Sequence, residues 1–117
     1  MSAVVDECVF CRIIGGQIPA EFVLKEAEFV AFPDINPKAR VHLLVMPTAH
    51  IRSLNDIDSQ DAGFGQRMLS FVARAAAVSG VSESGYRVIS NNGPDGGQEV
   101  DHLHLHVLGG TLLGDLV

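Results

Sequence analysis

Residues His102-Leu103-His104-Leu105-His106-Val107-Leu108 alternate imidazole and aliphatic side chains over five positions and end in a wholly apolar pair. A period of two is the signature of an extended strand, which sends successive side chains to opposite faces. Leu103, Leu105 and Val107 then need one covered face. His102, His104 and His106 form a row on the other, about 6.5–7 Å apart per step. A single histidine on a strand is most often a satisfied core or surface residue. Three in alternation are poor core material, because each ring brings polar nitrogens that need partners. The histidine face must open onto a cleft or onto ligands.

Two chemistries suit such a row. It can chelate a metal, or it can form a phosphate site with a nucleophilic imidazole. The second needs a donor beside the nucleophile and a cradle of main-chain amides. His106 is a suitable donor. The loop Asn92-Gly93-Pro94-Asp95-Gly96-Gly97 leads almost directly into the strand and is a candidate cradle. Taken alone, that loop also reads as a plain turn, so both chemistries stay open at this point.

The rest of the chain supplies a sheet and a helix. Residues 22–25 and 29–32 are expected to form two short strands joined around Glu26-Ala27-Glu28. Residues 34–38 form a loop with Pro33 and Pro37 as breakers, and residues 42–46 a buried strand ended by Pro47. A long helix is expected from a cap at Asp58 or Ser59 to Gly80, with Phe64, Met68, Phe71, Val72 and Ala75 on one face. Residues 86–90 form a fourth strand and 102–108 the fifth, ended by Gly109-Gly110. A short helical turn over residues 8–15 stops at Gly15-Gly16. This order predicts an α+β domain with a five-stranded antiparallel sheet, one long and one short helix. With 117 residues, no repeat and no linker, the whole chain 1–117 is expected to be a single domain.

Charge narrows the partners. Eight basic against fourteen acidic residues give a net charge of −6 with no basic run, which lacks the footprint of a nucleic-acid binder. A small anion remains acceptable, because main-chain amides can hold it. The start, Met1-Ser2-Ala3-Val4-Val5-Asp6-Glu7, has no basic region before its acids and does not read as a signal peptide. No apolar run approaches a membrane span. Cytoplasmic location is the expectation. Cys8 and Cys11 form a C-x-x-C pair, which in a reducing compartment is more often a metal half-site or a redox dithiol than a disulfide. A thioredoxin-like dithiol is disfavoured, since no βαβ pattern surrounds the pair.

The run from His102 to Leu108 matches the histidine-triad pattern of alternating histidines followed by apolar residues. The chain resembles the histidine-triad (HIT) superfamily, and is most similar to its Hint-type branch of nucleotide-binding proteins. Further segments carry the likeness: Cys8-Val9-Phe10-Cys11-Arg12-Ile13-Ile14 with Ile18-Pro19-Ala20, Ala31-Phe32-Pro33-Asp34-Ile35-Asn36-Pro37, His42-Leu43-Leu44-Val45-Met46-Pro47 with His50-Ile51, and residues 91–98. The likeness spans residues 8–110 and leaves 111–117 as a short tail.

The resemblance implies a purine nucleotide hydrolase acting on nucleoside phosphoramidates. His104 would attack the α-phosphorus, form a nucleotidyl-histidine intermediate and be released by water. His106 would hydrogen-bond phosphoryl oxygens or assist the leaving group. Asp34 matches the carboxylate that accepts both ribose hydroxyls; without the likeness it reads as an Asx turn before Pro37. Ile35, with Phe32 nearby, would line the base pocket. Asn91, Gly97 and Gln98 match positions around the phosphate and leaving group, and His42 matches a further histidine beside the triad. Cys8, Cys11, His50 and His102 match four zinc ligands found in some members, a closed structural site. A homodimer joining two sheets into one of ten strands is also implied. Two departures stand out: Glu99 occupies a position where the branch commonly has serine, and the tail, Thr111-Leu112-Leu113-Gly114-Asp115-Leu116-Val117, carries no tryptophan. Within the superfamily the alternative is a dinucleoside polyphosphate hydrolase. Outside that chemistry stand a nucleotide-binding module with little turnover and a hydrolase with zinc among all three triad histidines.

Overall fold

The computed structural model describes residues 7–115. The N-terminal residues 1–6, on which most of the signal-peptide expectation falls, and residues 116–117 of the tail lie outside the described part. Within it, helix α1 (Val9–Ile14) is followed by strands β1 (Leu24–Lys25), β2 (Phe29–Pro33) and β3 (Val41–Pro47). Helix α2 (Phe64–Val78) comes next, then β4 (Tyr86–Ser90) and β5 (Leu105–Gly109). The strands form one five-stranded sheet in the order β1-β2-β3-β5-β4, antiparallel at every pairing. The chain is an α+β domain, as its pattern predicts. Among the described residues, no helix is long and apolar enough to cross a membrane.

The two faces of the sheet bury different things. Phe29 and Ala31 of β2, Leu43 and Val45 of β3, and Leu105 and Val107 of β5 share one face with Leu103. They pack on Phe64, Met68, Phe71, Val72 and Ala75 of α2. These are the helix positions that recur at helical spacing in the sequence. The opposite face presents Val30, Phe32, Leu44 and Met46, packed on Cys8, Phe10 and Cys11 from α1 and its cap. Strand alternation thus assigns α2 to one side and α1 to the other, where the histidines also lie.

The long helix starts later than its sequence suggests. Leu54–Ser59 is a separate 3-10 helix capped by Ser53, and Asp58 and Ser59 belong to it. The acid that serves α2 is Asp61, whose carboxylate accepts from the Gly63 main-chain N–H at 3.1 Å and pairs with Arg67 at 2.7 Å. At the other end Gly80, with φ of +78°, takes the left-handed turn that the stop signal requires.

β5 is shorter than the alternating run. Its ladder with β3 begins at Leu105, because the amides before it bond elsewhere: His102 N–H to Val100 O at 2.8 Å, and Leu103 N–H to Ile51 O at 2.7 Å. Side-chain alternation persists through 102–104 while the hydrogen-bonded strand does not. β1 likewise covers only Leu24–Lys25 of the expected 22–25.

Candidate functional site

The three triad histidines divide between two neighbouring places. His102 is fully buried. Its Nε2 lies 2.8 Å from the Pro47 carbonyl, which can only accept, so Nε2 carries the proton and Nδ1 is left bare. That Nδ1 lies 3.5 Å from Cys8 Sγ, 3.6 Å from Cys11 Sγ and 3.2 Å from His50 Nδ1, while Cys11 Sγ lies 3.2 Å from His50 Nδ1. A zinc ion with N and S ligands at usual lengths sets tetrahedral edges of about 3.3 Å between nitrogens and about 3.6 Å between nitrogen and sulfur. All four ligand atoms lie within 4.8 Å of one another, so the cluster can hold a metal ion. The Cys11 main-chain N–H also donates to Cys8 Sγ at 3.3 Å, fixing that sulfur at the N-cap of α1. Burial pushes the His102 pKa down to about 4, so the ring stays neutral and available as a ligand.

His104 sits at the floor of a cleft of about 730 Å³ that it lines with His106, His42, Asp34, Asn91, Gly97, Glu99 and Arg87. Its Nδ1 donates to the main-chain carbonyl of His102 at 2.7 Å. That carbonyl is available because the chain there has left the β5 ladder. With the proton held on Nδ1, the lone pair is on Nε2. Phe10 stands edge-on to the ring, 5.0 Å between centroids, and His106 packs beside it at 5.2 Å.

His106 and His42 lie on adjacent strands of the same face and touch, His42 Nε2 to His106 Nδ1, at 2.9 Å. Asp34 Oδ2 lies 3.4 Å from His42 Nε2, and Asp34 Oδ1 accepts from the Asn36 N–H at 2.8 Å. The Asx turn and a carboxylate aimed at the cleft therefore coexist in one residue. Burial lowers the pKa of both His42 and His106 from the ordinary histidine value.

The remaining expected residues are distributed less evenly. Ile35 is 91% exposed beside Asp34, and Phe32 is buried beneath, packed on Phe10 and Phe22. The Gln98 amide is engaged by its own loop, accepting from the Gly93 N–H and donating to the carbonyls of Arg52 and Val100. That loop is tight: a Cβ on Gly96 would fall 2.5 Å from the Asn92 carbonyl oxygen. Arg87, Lys38 and Phe10 were not anticipated. The alternation of β4 could have shown Arg87 and Ile89 on the histidine face; nothing in the sequence marks the Lys38 main chain.

The HIT domain profile matches residues 15–112. The chain belongs to the HIT domain family. The purine nucleoside phosphoramidase of Escherichia coli K12 is 38% identical to it over 112 residues, covering 96% of this chain and 94% of that protein. Among solved structures, a HIT family hydrolase from Clostridium thermocellum superposes with a TM-score of 0.90 at 36% identity, covering 97% of this chain and 98% of that one. A histidine triad protein from Clostridium difficile gives 0.88 at 40% identity, covering 95% and 96%. The chain therefore matches these relatives nearly end to end; the histidine cleft lies inside the HIT profile's range, and Cys8 and Cys11 just before it.

Proposed function

We propose that this HIT protein hydrolyses purine nucleoside phosphoramidates through a nucleotidyl-histidine intermediate on His104. The observation that carries the reading is the 2.7 Å hydrogen bond from His104 Nδ1 to the His102 carbonyl, which leaves Nε2 nucleophilic on a ring lining the cleft. Nε2 forms the bond to phosphorus, the P–N bond breaks and the amine departs protonated. Water then cleaves the N–P bond, returning His104 and releasing a nucleoside monophosphate. His106 hydrogen-bonds the phosphoryl oxygens. Asp34 accepts the ribose hydroxyls, and Ile35 and Phe32 form the base side. Asn91 and Gly97 border the phosphate. Gln98 acts by holding the shape of the glycine loop.

The name of the Escherichia coli relative supports both the purine and the phosphoramidate parts. Glu99 lines the cleft and the chain carries a net charge of −6, which disfavours the more highly charged dinucleoside polyphosphates. The test is kcat/KM for adenosine phosphoramidate against diadenosine triphosphate under identical conditions. A ratio favouring the triphosphate overturns the substrate assignment and leaves the nucleophile in place.

The same reading places zinc at Cys8, Cys11, His50 and His102 as a structural ion, tying α1 to the chain entering β5. This takes His102 away from the other two triad rings and speaks against zinc shared among all three. A cysteine pair used as metal ligands fits a reducing, cytoplasmic setting. A homodimer is part of the proposal too: β4 is an edge strand of the sheet, with Tyr86 and Val88 exposed on it.

A further inference from the structure

Three hydrogen-bonding groups in a row, the Lys38 amide and the rings of His42 and His106, set the protons of the cleft. The Lys38 main-chain N–H lies 2.9 Å from His42 Nδ1. An amide can only donate, so Nδ1 accepts and carries no hydrogen. The single proton of the neutral ring is therefore on Nε2. The nearest acceptor to Nε2 is His106 Nδ1 at 2.9 Å, with Asp34 Oδ2 further away at 3.4 Å. His106 Nδ1 is then the accepting nitrogen, and the proton of that ring is on Nε2. Nε2 of His106 meets no hydrogen-bond partner among the described residues, and the ring lines the cleft.

We infer that His42 is a positioning residue: with the Lys38 main-chain amide it fixes His106 in the tautomer that offers an Nε2–H to the phosphoryl group. The inference rests on the proposed role of the cleft and adds to it the device that sets the donor. The same loop carries Asp34, the proposed ribose acceptor, four residues before Lys38. Burial, which lowers the pKa of both rings, keeps them neutral. That is required, since a proton on His106 Nδ1 would face the one on His42 Nε2.

The same chemistry decides what this cluster is not. Asp34, His42 and His106 offer ligand atoms within 4.8 Å of one another, a two-histidine, one-carboxylate set. A cation there would need a bare Nε2 on His42. With Nδ1 held by the Lys38 amide, that demands an imidazolate or a broken loop bond. The set is a hydrogen-bond relay, in contrast to the Cys/His cluster, where the nitrogen held by a carbonyl leaves the metal-facing one bare.

Long-range nitrogen–proton correlation of the imidazoles, in ligand-free protein near neutral pH, reads the tautomers directly. His42 and His106 are both expected as Nε2–H. An Nδ1–H or averaged His106 overturns the inference. A second arm compares His42→Leu with His42→Gln, whose amide N–H can reach the same nitrogen. His42→Leu should mix the His106 tautomers and lower kcat on adenosine phosphoramidate on the order of 10- to 100-fold, as loss of an orienting partner does elsewhere. Affinity for adenosine monophosphate should stay within about two-fold, and His42→Gln should recover a large part of the loss. Equal losses in both variants, or a loss confined to affinity, contradict it. A wild type with the stated tautomers but no phosphoramidase activity refutes the reaction and upholds the tautomer assignment.

Discussion

Asp34, His42 and His106 each do two things at once, and their contributions are separable by substitution. Asp34 is anchored by the Asn36 amide through one oxygen and faces the cleft with the other. Asp34→Ala should weaken nucleoside monophosphate binding by about 10- to 100-fold, the equivalent of one or two hydrogen bonds to a charged group. Titration calorimetry checks this. An unchanged affinity would return Asp34 to a purely local turn. The buried histidines also make stability depend on pH. Their folded pKa values lie below the ordinary value of about 6.5, so the unfolded chain binds more protons in the window beneath it. The stabilisation is complete above about pH 6.5 and is lost as pH falls through the folded values. Melting temperature should therefore fall between about pH 7 and about pH 5, less steeply in His42→Gln. Parallel melting curves for the two proteins are the check.

At the level of elements, α1 and α2 hold the sheet from opposite sides by different means. Phe71 of α2 is fully buried against Phe29. Phe71→Ala should cost about 3–5 kcal/mol in chemical denaturation and leave the cleft chemistry intact in the folded fraction. α1 has only six residues, too short to be stable by itself. It is held by the packing of Phe10 and Cys11 on Val30, Phe32, Leu44 and Met46, and the proposed zinc would add to this. Cys8→Ser should lose bound zinc and much of the melting temperature, since structural zinc sites contribute on the order of 10 kcal/mol. Metal analysis showing no zinc in wild type purified without chelator, or an unshifted melt, would contradict it. The contrast shows what the sequence made legible. Periodicity gave the α2 core face and the side-chain faces of 102–108, because both are set by local geometry. It missed the start of α2 and the late start of the β5 ladder. There, a local 3-10 segment capped by Ser53 takes up the expected cap residues, and the Ile51 carbonyl, distant in sequence, takes the Leu103 amide. The Lys38 amide was invisible for a different reason: every residue but proline has one.

Across the whole molecule, the sheet acts as a partition. One face is an apolar core under α2, and the other carries a Cys/His cluster that can hold a metal ion and a cleft of about 730 Å³, sharing one run of chain. Two ion-pair clamps, Arg67 with Glu28 at 2.7 Å and Arg74 with Glu26 at 2.8 Å, tie α2 to the turn between β1 and β2 on the covered side, far from the chemistry. They are exposed and worth little individually. On the other face, His104 combines a bare Nε2, a place in the cleft and no part in the Cys/His cluster. The direct measurement is multiple-turnover hydrolysis of adenosine phosphoramidate by His104→Ala, made on protein shown to be folded and to bind adenosine monophosphate. A covalent role for His104 predicts a rate lower by about 10⁴-fold or more with monophosphate affinity largely kept. Sustained turnover near the wild-type rate would contradict it.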